Sequence, residues 1–345
     1  MVFCTLFNSG YLDKGIVMFQ SLQAVTNDFK LYIVAFDDKC YEILQAYKCE
    51  QLIVISLEEF EDARLLEAKK NRTEQEYCWT CSCHTIKYVL EHYHEKVCTY
   101  IDADMYFYAN PRVLFDEIEA SGCDVSIIEH RLSNNIENRR VLQLSGKFCV
   151  EFNTFYATEN GLHVLNWWCD KCLELCTVKQ DGVYFGDQKY LDDWESRFTG
   201  VHVLHHAGAG VAPWNVARYR LVEKRGDNIK IRFEEDNSVN SLIFYHFQAM
   251  KYLDDHRVDV GINLYPGYAQ PQLYVGLYKD YLKKIELMRD KLEKEARLDL
   301  RSRKAEKFSK KNYFFENIMR ERNPVIICRK MWRLWVRKDR DYVSF

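Results

Sequence analysis

Short apolar runs alternate along this chain with stretches whose apolar positions recur three or four residues apart. Val2–Phe7, Leu31–Phe36, Leu52–Ser56, Val97–Ile101, Val125–Glu129, Glu151–Ala157 and Val201–Leu204 have the length and the β-branched or aromatic content of strands. Between them, Gly15–Val25 sets Ile16, Phe19 and Leu22 on one side, and Tyr41–Tyr47 and Thr85–His92 have helical spacing. This alternation predicts an α/β fold with a mostly parallel sheet and helices on both faces. Gly208–Gly210 with Pro213, and the Gly-, Pro- and Tyr-rich stretch 261–271, read as loops. From Tyr278 to Lys311 the chain is charged and helix-forming, and Pro324 breaks the stretch beyond it. No internal repeat is visible. The expected organisation is a main domain over residues 1–275 and a helical extension over 276–345.

The most telling chemistry lies at 99–108, Thr-Tyr-Ile-Asp-Ala-Asp-Met-Tyr-Phe-Tyr. A strand apolar on both faces runs into two carboxylates, Asp102 and Asp104, where it leaves the sheet. Such a pair is costly to enclose unless something neutralises it. The carboxyl ends of strands in open α/β sheets are where ligands bind. A divalent cation held by hard oxygens and shared with a diphosphate satisfies both facts; a helix cap or turn pair is the plain alternative. Four further segments carry candidates. Asn8 and Tyr11 follow the first strand, where a base and ribose would sit. Lys87 lies on the helix before the Asp102 strand, within reach of a diphosphate. Asp187-Gln188 follows a glycine turn, and His246 ends the apolar run Phe244-Tyr-His246. Each also has an ordinary reading as turn, solvated lysine, helix cap or core histidine.

Composition bounds the function. The chain is 48% hydrophobic and 14% aromatic, as a globular protein is. No run of about 18 apolar residues exists to cross a membrane, and Met-Val-Phe-Cys-Thr-Leu-Phe at the start has no basic region and no cleavage signal and reads as the first strand. A cytoplasmic location is expected. The thirteen cysteines then read as free, buried thiols. Cys78, Cys81, Cys83 and His84 have a zinc-like spacing, but they open a helix, and Cys169, Cys172 and Cys176 share one helical face; core packing is the expectation for both groups. Net charge is −3, unevenly spread: residues 279–345 hold 21 Lys/Arg against 11 Asp/Glu, and the rest 27 against 40. The acidic body argues against a nucleic-acid partner. The basic segments 301–311 and 328–338 are interleaved with aromatics, which suits peripheral attachment to an anionic membrane on its inner face. An extension packed on the body or forming a homodimer is the alternative.

Taken together, Tyr-Ile-Asp-Ala-Asp-Met-Tyr-Phe (100–107), Phe-Asn-Thr-Phe-Tyr (152–156), Phe-Gly-Asp-Gln-Lys-Tyr-Leu-Asp-Asp-Trp (185–194), Gly-Ala-Gly-Val-Ala-Pro-Trp-Asn-Val (208–216) and Tyr-His-Phe (245–247) resemble bacterial nucleotide-sugar glycosyltransferases of the GT-A fold. They are similar to glycosyltransferase family 8, over roughly residues 1–250. The resemblance implies a GT-A, Rossmann-like mixed sheet and a metal-dependent transfer from a nucleotide-sugar, most simply a UDP-sugar, to a glycan or lipid-linked acceptor, with retention. It implies a Mn²⁺ or Mg²⁺ site of Asp102, Asp104 and His246. Asn8, Tyr11, Lys87, Asp102 and Asn153 fall where the donor is bound, and Asp187 and Gln188 near the anomeric carbon. One departure is His246-Phe-Gln-Ala-Met-Lys, which lacks the family's glycine and its Lys-Pro-Trp. An inverting enzyme would instead need a carboxylate base on the opposite face, for which Glu151, Asp192 and Asp193 are candidates. A sugar nucleotidyltransferase of the same fold is the runner-up, although Asn8–Gly15 lacks its glycine- and arginine-rich loop. A non-catalytic nucleotide-binding or membrane scaffold is the third reading.

Overall fold

Eight segments of a computed structural model, which describes residues 1–134, 136–179, 184–254, 257–262, 265, 269–301 and 342–344, set the frame. They are β1 (Val2–Phe7), β2 (Lys30–Ala35), β3 (Leu52–Ser56), β4 (Val97–Ile101), β5 (Met105–Phe107), β6 (Val125–Glu129), β7 (Phe148–Tyr156) and β8 (Val201–Val203). Seven of them form one sheet in the order β3-β2-β1-β4-β7-β6-β8. Only β7 runs against its neighbours. The helices are α1 (Leu12–Val25), α2 (Asp38–Gln45), α3 (Leu57–Phe60), α4 (Ala63–Lys69), α5 (Glu74–His92), α6 (Arg112–Ser121), α7 (Ile136–Ser145), α8 (Glu159–Glu174), α9 (Trp194–Arg197) and α10 (Pro271–Ala296).

The strands bury both faces, and their alternation splits the core in two. Phe3, Phe7, Leu31 and Ile33 point to the side of α1, α6 and α10. Cys4, Leu6, Tyr32 and Val34 point to the side of α5 and α8. Phe3 meets the rings of Phe29, Phe107, Phe115 and Phe152 at 5.6–6.3 Å. Each enclosed ring stabilises the fold by roughly 1.5–3 kcal/mol. Gly15 lets α1 close on β1: a Cβ there would lie 2.3 Å from the Phe7 ring.

Several elements run beyond their expected limits. α1 starts at Leu12, and β7 starts at Phe148. α5 starts at Glu74, because Thr73 and Glu76 form a reciprocal capping box, a cap whose loss costs about 1 kcal/mol. The sequence reading passed over a three-stranded antiparallel sheet of β9 (Tyr219–Arg225), β10 (Asn228–Phe233) and β11 (Val239–Ser241). The alternation of buried Ile229, Ile231 and Phe233 with exposed neighbours in β10 was its signal. β12 (Phe244–His246) pairs with β5. β13 (Lys251–Asp254), β14 (Arg257–Asp259) and β15 (Tyr342–Ser344) form a small fourth sheet.

α10 runs across the expected division at 275. Pro271 opens the helix at its first turn, and Arg297 ends it in the left-handed region at φ 52°. Leu273, Tyr278, Tyr281 and Ile285 join the core of the body, and Arg289 Nε bonds the buried Asp13 of α1 at 2.6 Å. A boundary at 275/276 would cut this helix, and residues 276–296 pack as part of the body. Residues 302–311 of the expected helix, and nearly all of the basic aromatic extension, lie outside the described residues. Among the described residues, no helix is long and apolar enough to cross a membrane.

Candidate functional site

β4 delivers Asp102 and Asp104 to the carboxyl end of the sheet, and a turn leads the chain into β5. β5 pairs antiparallel with β12 in a register that sets Met105 opposite His246. That register brings His246 Nε2 to 2.9 Å from Asp104 Oδ1 and 3.5 Å from Asp102 Oδ2. One ligand atom from each of the three residues lies within 4.8 Å of the others. The imidazole Nδ1 meets Glu151 Oε2 at 2.7 Å. Lys14 Nζ sits 4.0 Å from Asp104 Oδ2 and 4.1 Å over the Tyr11 ring.

The loop 208–216 buttresses this cluster. His246 donates its backbone N–H to the Val211 carbonyl at 2.9 Å. The buried Asn215 accepts from Ala212 N–H at 3.0 Å and donates to the carbonyls of His130 and Gly210 at 2.9 and 2.7 Å. This fixes Trp214, whose ring packs edge-on against His246 at 5.3 Å.

Charge is unevenly held. Burial pushes Asp102 up to about 8, partly opposed by His246 and reinforced by the charges of Asp104, Glu151 and Asp187. Burial opposes ionisation of Asp104 too, but His246 and Lys14 outweigh it and hold that carboxyl at about 2. His246 is driven well above its ordinary range, because the charge and hydrogen bonds of Asp104 and its other partners overcome burial.

Asn8 accepts the Gly10 N–H at 3.0 Å and so caps the turn after β1, while its amide donates to Glu74. Tyr11 is 41% exposed and lines the cleft. Gly186, at φ +55° and against the Trp79 ring, turns the chain so that Asp187 is buried. Ser82 donates to Asp187 Oδ2, and Trp168 Nε1 donates to the Asp187 backbone carbonyl at 2.9 Å. Burial pushes the Asp187 carboxyl up to about 7 against that hydrogen bond. Gln188 donates through Nε2 to the Ser145 carbonyl.

Asn8, Tyr11, Asp102, Asp104, Asp187, Gln188 and His246 line one cleft of about 780 Å³, walled by Trp79 and Trp214. Lys87 and Asn153 do not line it. Lys87 lies eight residues past Trp79, about 12 Å farther along α5, and pairs with Glu91 at 3.8 Å. Asn153 is wholly enclosed in β7 opposite Tyr100. The candidates for an opposite-face base are also elsewhere. Glu151 is enclosed behind His246. Asp192 accepts the Lys147 N–H at 2.6 Å and pairs with Lys189, and Asp193 pairs with Arg197. Among the described residues, the carboxyls lining the cleft are Glu74, Asp102, Asp104 and Asp187. Sequence reasoning missed Lys14, Ser82 and Trp79, which reach the site only through packing; Trp214 stood in a quoted motif without a role.

The zinc-like run Cys78–His84 does not converge as a set. The group that does is Cys83, His84 and Cys169, shared between α5 and α8. There His84 Nδ1 bonds the Thr80 carbonyl at 2.9 Å. Burial drives His84 down to about 4 and raises the two thiols well above their usual range. All cysteines among the described residues are free.

No family model matches this chain. Its sequence is 32% identical to uncharacterized protein YfnD of Bacillus subtilis (strain 168) over 250 residues, 72% of this chain and 77% of YfnD. It is also 32% identical to uncharacterized protein YfnF of the same organism over 254 residues, 72% of this chain and 81% of YfnF. Among solved structures, an active-site mutant of LgtC superposes with a TM-score of 0.51 at 12% identity, over 72% of this chain and 88% of LgtC. Another LgtC structure, with a TM-score of 0.48 at 12% identity over 72% and 87% of the two chains, presents that protein as a galactosyltransferase with donor and acceptor sugar analogs. The sheet order, the cleft at the carboxyl end of β4 and this superposition make the fold GT-A, and at one-third identity over most of both chains this protein belongs to the family of YfnD and YfnF.

Proposed function

We propose that the protein is a glycosyltransferase that moves a sugar from a nucleotide-sugar donor, most simply a UDP-sugar, to a glycan or lipid-linked saccharide. One observation carries the reading: a single cleft gathers the Asp102–Asp104–His246 group, the Asp187–Gln188 pair and the Asn8–Tyr11 turn. The GT-A fold that the chain shares with LgtC supports it.

The first group suits a divalent cation. Two hard carboxylate oxygens and an imidazole are a donor set for Mn²⁺ or Mg²⁺. Among the described residues, the basic group paired with Asp102 is His246, which lies 3.5 Å away and is shared with two other carboxyls. Asp102, Asp104 and His246 would hold the ion, which when bound acts as a Lewis acid on the leaving diphosphate.

The chain's own residues do the rest. Tyr11 covers the base, and Asn8 shapes the turn beneath it. Lys14, held between Asp104 and the Tyr11 ring, brings a positive charge to the side where the leaving group gains negative charge. Asp187 and the side-chain carbonyl of Gln188 offer negative potential to the oxocarbenium-like ring. Asp187 is poised near neutral pH, and Ser82 and Trp168 fix its position. The base candidates off the cleft favour transfer with retention, in which the departing phosphate oxygen accepts the acceptor's proton. Trp79 and Phe185, edge to face at 5.5 Å, give an apolar wall for sugar faces. The basic segments beyond 301 carry the enzyme to anionic membrane where a lipid-linked acceptor resides. Neutralising Arg329, Lys330, Arg333, Arg337 and Lys338 together should abolish liposome binding and leave donor hydrolysis unchanged.

The test is a panel of nucleotide-sugars with and without Mn²⁺, read by melting temperature and by nucleotide release. One UDP-sugar should raise the melting temperature in a Mn²⁺-dependent way and be slowly hydrolysed. Equal behaviour of the wild type and Asp104→Ala with every donor would overturn the reading. The anomeric configuration of the product, read by NMR, tests retention.

A further inference from the structure

His246 is approached through both ring nitrogens, and the two sides offer different sets of ligands. Nε2 faces Asp104 and Asp102. Nδ1 faces Glu151, and Cys149, Glu151 and His246 also come within 4.8 Å of one another. Which nitrogen serves the cleft depends on what the other is bonded to.

Glu151 is the informative residue. It lies in the interior of β7 and is wholly enclosed. Its Oε2 makes the 2.7 Å contact with His246 Nδ1, and its Oε1 has no hydrogen-bond partner among the described residues. Gly210, at φ +67°, passes so close that a Cβ there would lie 3.1 Å from Oε1. A carboxyl enclosed this way costs stability unless its remaining contact is strong. The fold therefore places a costly group where its hydrogen bond goes to the imidazole. The ring is also held by its Trp214 neighbour at 5.3 Å and by the backbone bond to Val211.

We propose that Glu151 is a positioning residue that accepts the Nδ1–H of His246 and thereby commits Nε2 to the Asp102–Asp104 side as the metal-binding nitrogen. An imidazole that donates through Nδ1 cannot ligate through it, and a carboxyl acceptor makes the other nitrogen a better ligand. The Asp102–Asp104 side also opens on the cleft where a diphosphate adds its oxygens, whereas Glu151 is sealed. This inference rests on the metal reading above, and the experiment separates the two.

The full-length protein is compared with E151Q and E151L in two measurements. Free Mn²⁺ is titrated by EPR with the metal alone. The His246 ring is followed by ¹H–¹⁵N NMR in the metal-free protein. E151Q keeps an acceptor oxygen and nearly the same shape, so its Mn²⁺ affinity should fall less than that of E151L, which should lose about 10- to 100-fold. The wild type should show a far-downfield Nδ1–H proton, moved upfield in E151Q and absent in E151L. Unchanged ring resonances in E151L, or wild-type Mn²⁺ affinity in that variant, would overturn the proposal. It would also fall if C149S and E151L lost Mn²⁺ while D104N kept it, since the metal would then sit on Nδ1. A wild type that binds no Mn²⁺ removes the metal reading, and the NMR comparison still decides whether Glu151 holds the ring.

Discussion

Among the described residues, two enclosed histidines stand in groups that could hold a metal ion, one at the cleft floor and one between α5 and α8. At the floor, His246 is flanked by Asp104 and Glu151 and is driven well above its ordinary range. Between the helices, His84 has a backbone carbonyl and thiols for neighbours and is driven down to about 4 by burial. Both are almost fully enclosed. Burial therefore does not separate them; the partners do. Carboxyl partners keep an imidazole charged and ready to exchange its proton for a cation. A carbonyl and neutral thiols leave it an uncharged piece of core. The comparison teaches that enclosure alone does not set the charge of an imidazole; the groups beside it do.

The comparison breaks first at Asp104. Asp104→Ala should lower turnover by roughly 1,000-fold, the several kcal/mol expected of lost Lewis-acid stabilisation. It should also remove the Mn²⁺ dependence of nucleotide binding while circular dichroism stays native. Mn²⁺-dependent turnover in that variant would put the charged cluster on a par with the neutral one. Gln188→Ala comes next: kcat should fall about 100-fold with little change in KM, if its dipole acts on the transition state. A raised KM at constant kcat would reduce Gln188 to a binding contact.

Asp187 sharpens the comparison through pH. Its carboxyl is pushed up to about 7 by burial. If the ionised form serves the reaction, kcat should rise with pH through about 7, and Asp187→Asn should lose that limb. The linkage runs the other way for stability. A folded pKa above the unfolded value means stability present below about pH 4 and lost as pH rises through about 7. The wild type should therefore melt lower at pH 8 than at pH 5, and Asp187→Asn should show a shallower decline. Equal slopes would remove Asp187 as the source.

The smallest effect belongs to the neutral cluster. Cys169→Ala should cost about 1–2 kcal/mol by denaturant titration, as loss of a buried side chain does, with unaltered kcat. Chelators should leave the melting temperature of that region's unfolding unchanged. One equivalent of zinc by mass spectrometry, with chelator-induced melting, would erase the difference between the clusters.

Much of the cleft was legible in the chain itself. Asp102 and Asp104 end a run apolar on both faces, His246 ends another, and Asp187-Gln188 follows Gly186, so local patterning placed them at element ends. The structure gathers these into one cleft with Asn8 and Tyr11. Lys87 does not line the cleft, because its distance along α5 is not contained in the local helical pattern. Asn153 does not line it either, because strand alternation does not tell which neighbours enclose a strand residue. The charged, helix-forming run from 278 onward was visible, but not its membership of the core.

The amino-acid sequence by itself determined the α/β alternation, six of the sheet strands to within a residue or two, and the five cleft residues at element ends. These follow from periodicity and turn chemistry, which act over a few neighbouring residues. Only the tertiary structure decided that Glu151 stands behind His246, that Lys14 stands beside Asp104, and that α10 packs against α1 through Arg289 and Asp13. His246 and Asp104 are 142 residues apart, and their meeting depends on the register of β12 on β5. A shift of that register by one residue would turn the imidazole to the opposite face. Pairing register and helix packing are set by the fit of whole surfaces against one another, which no local pattern of residues contains.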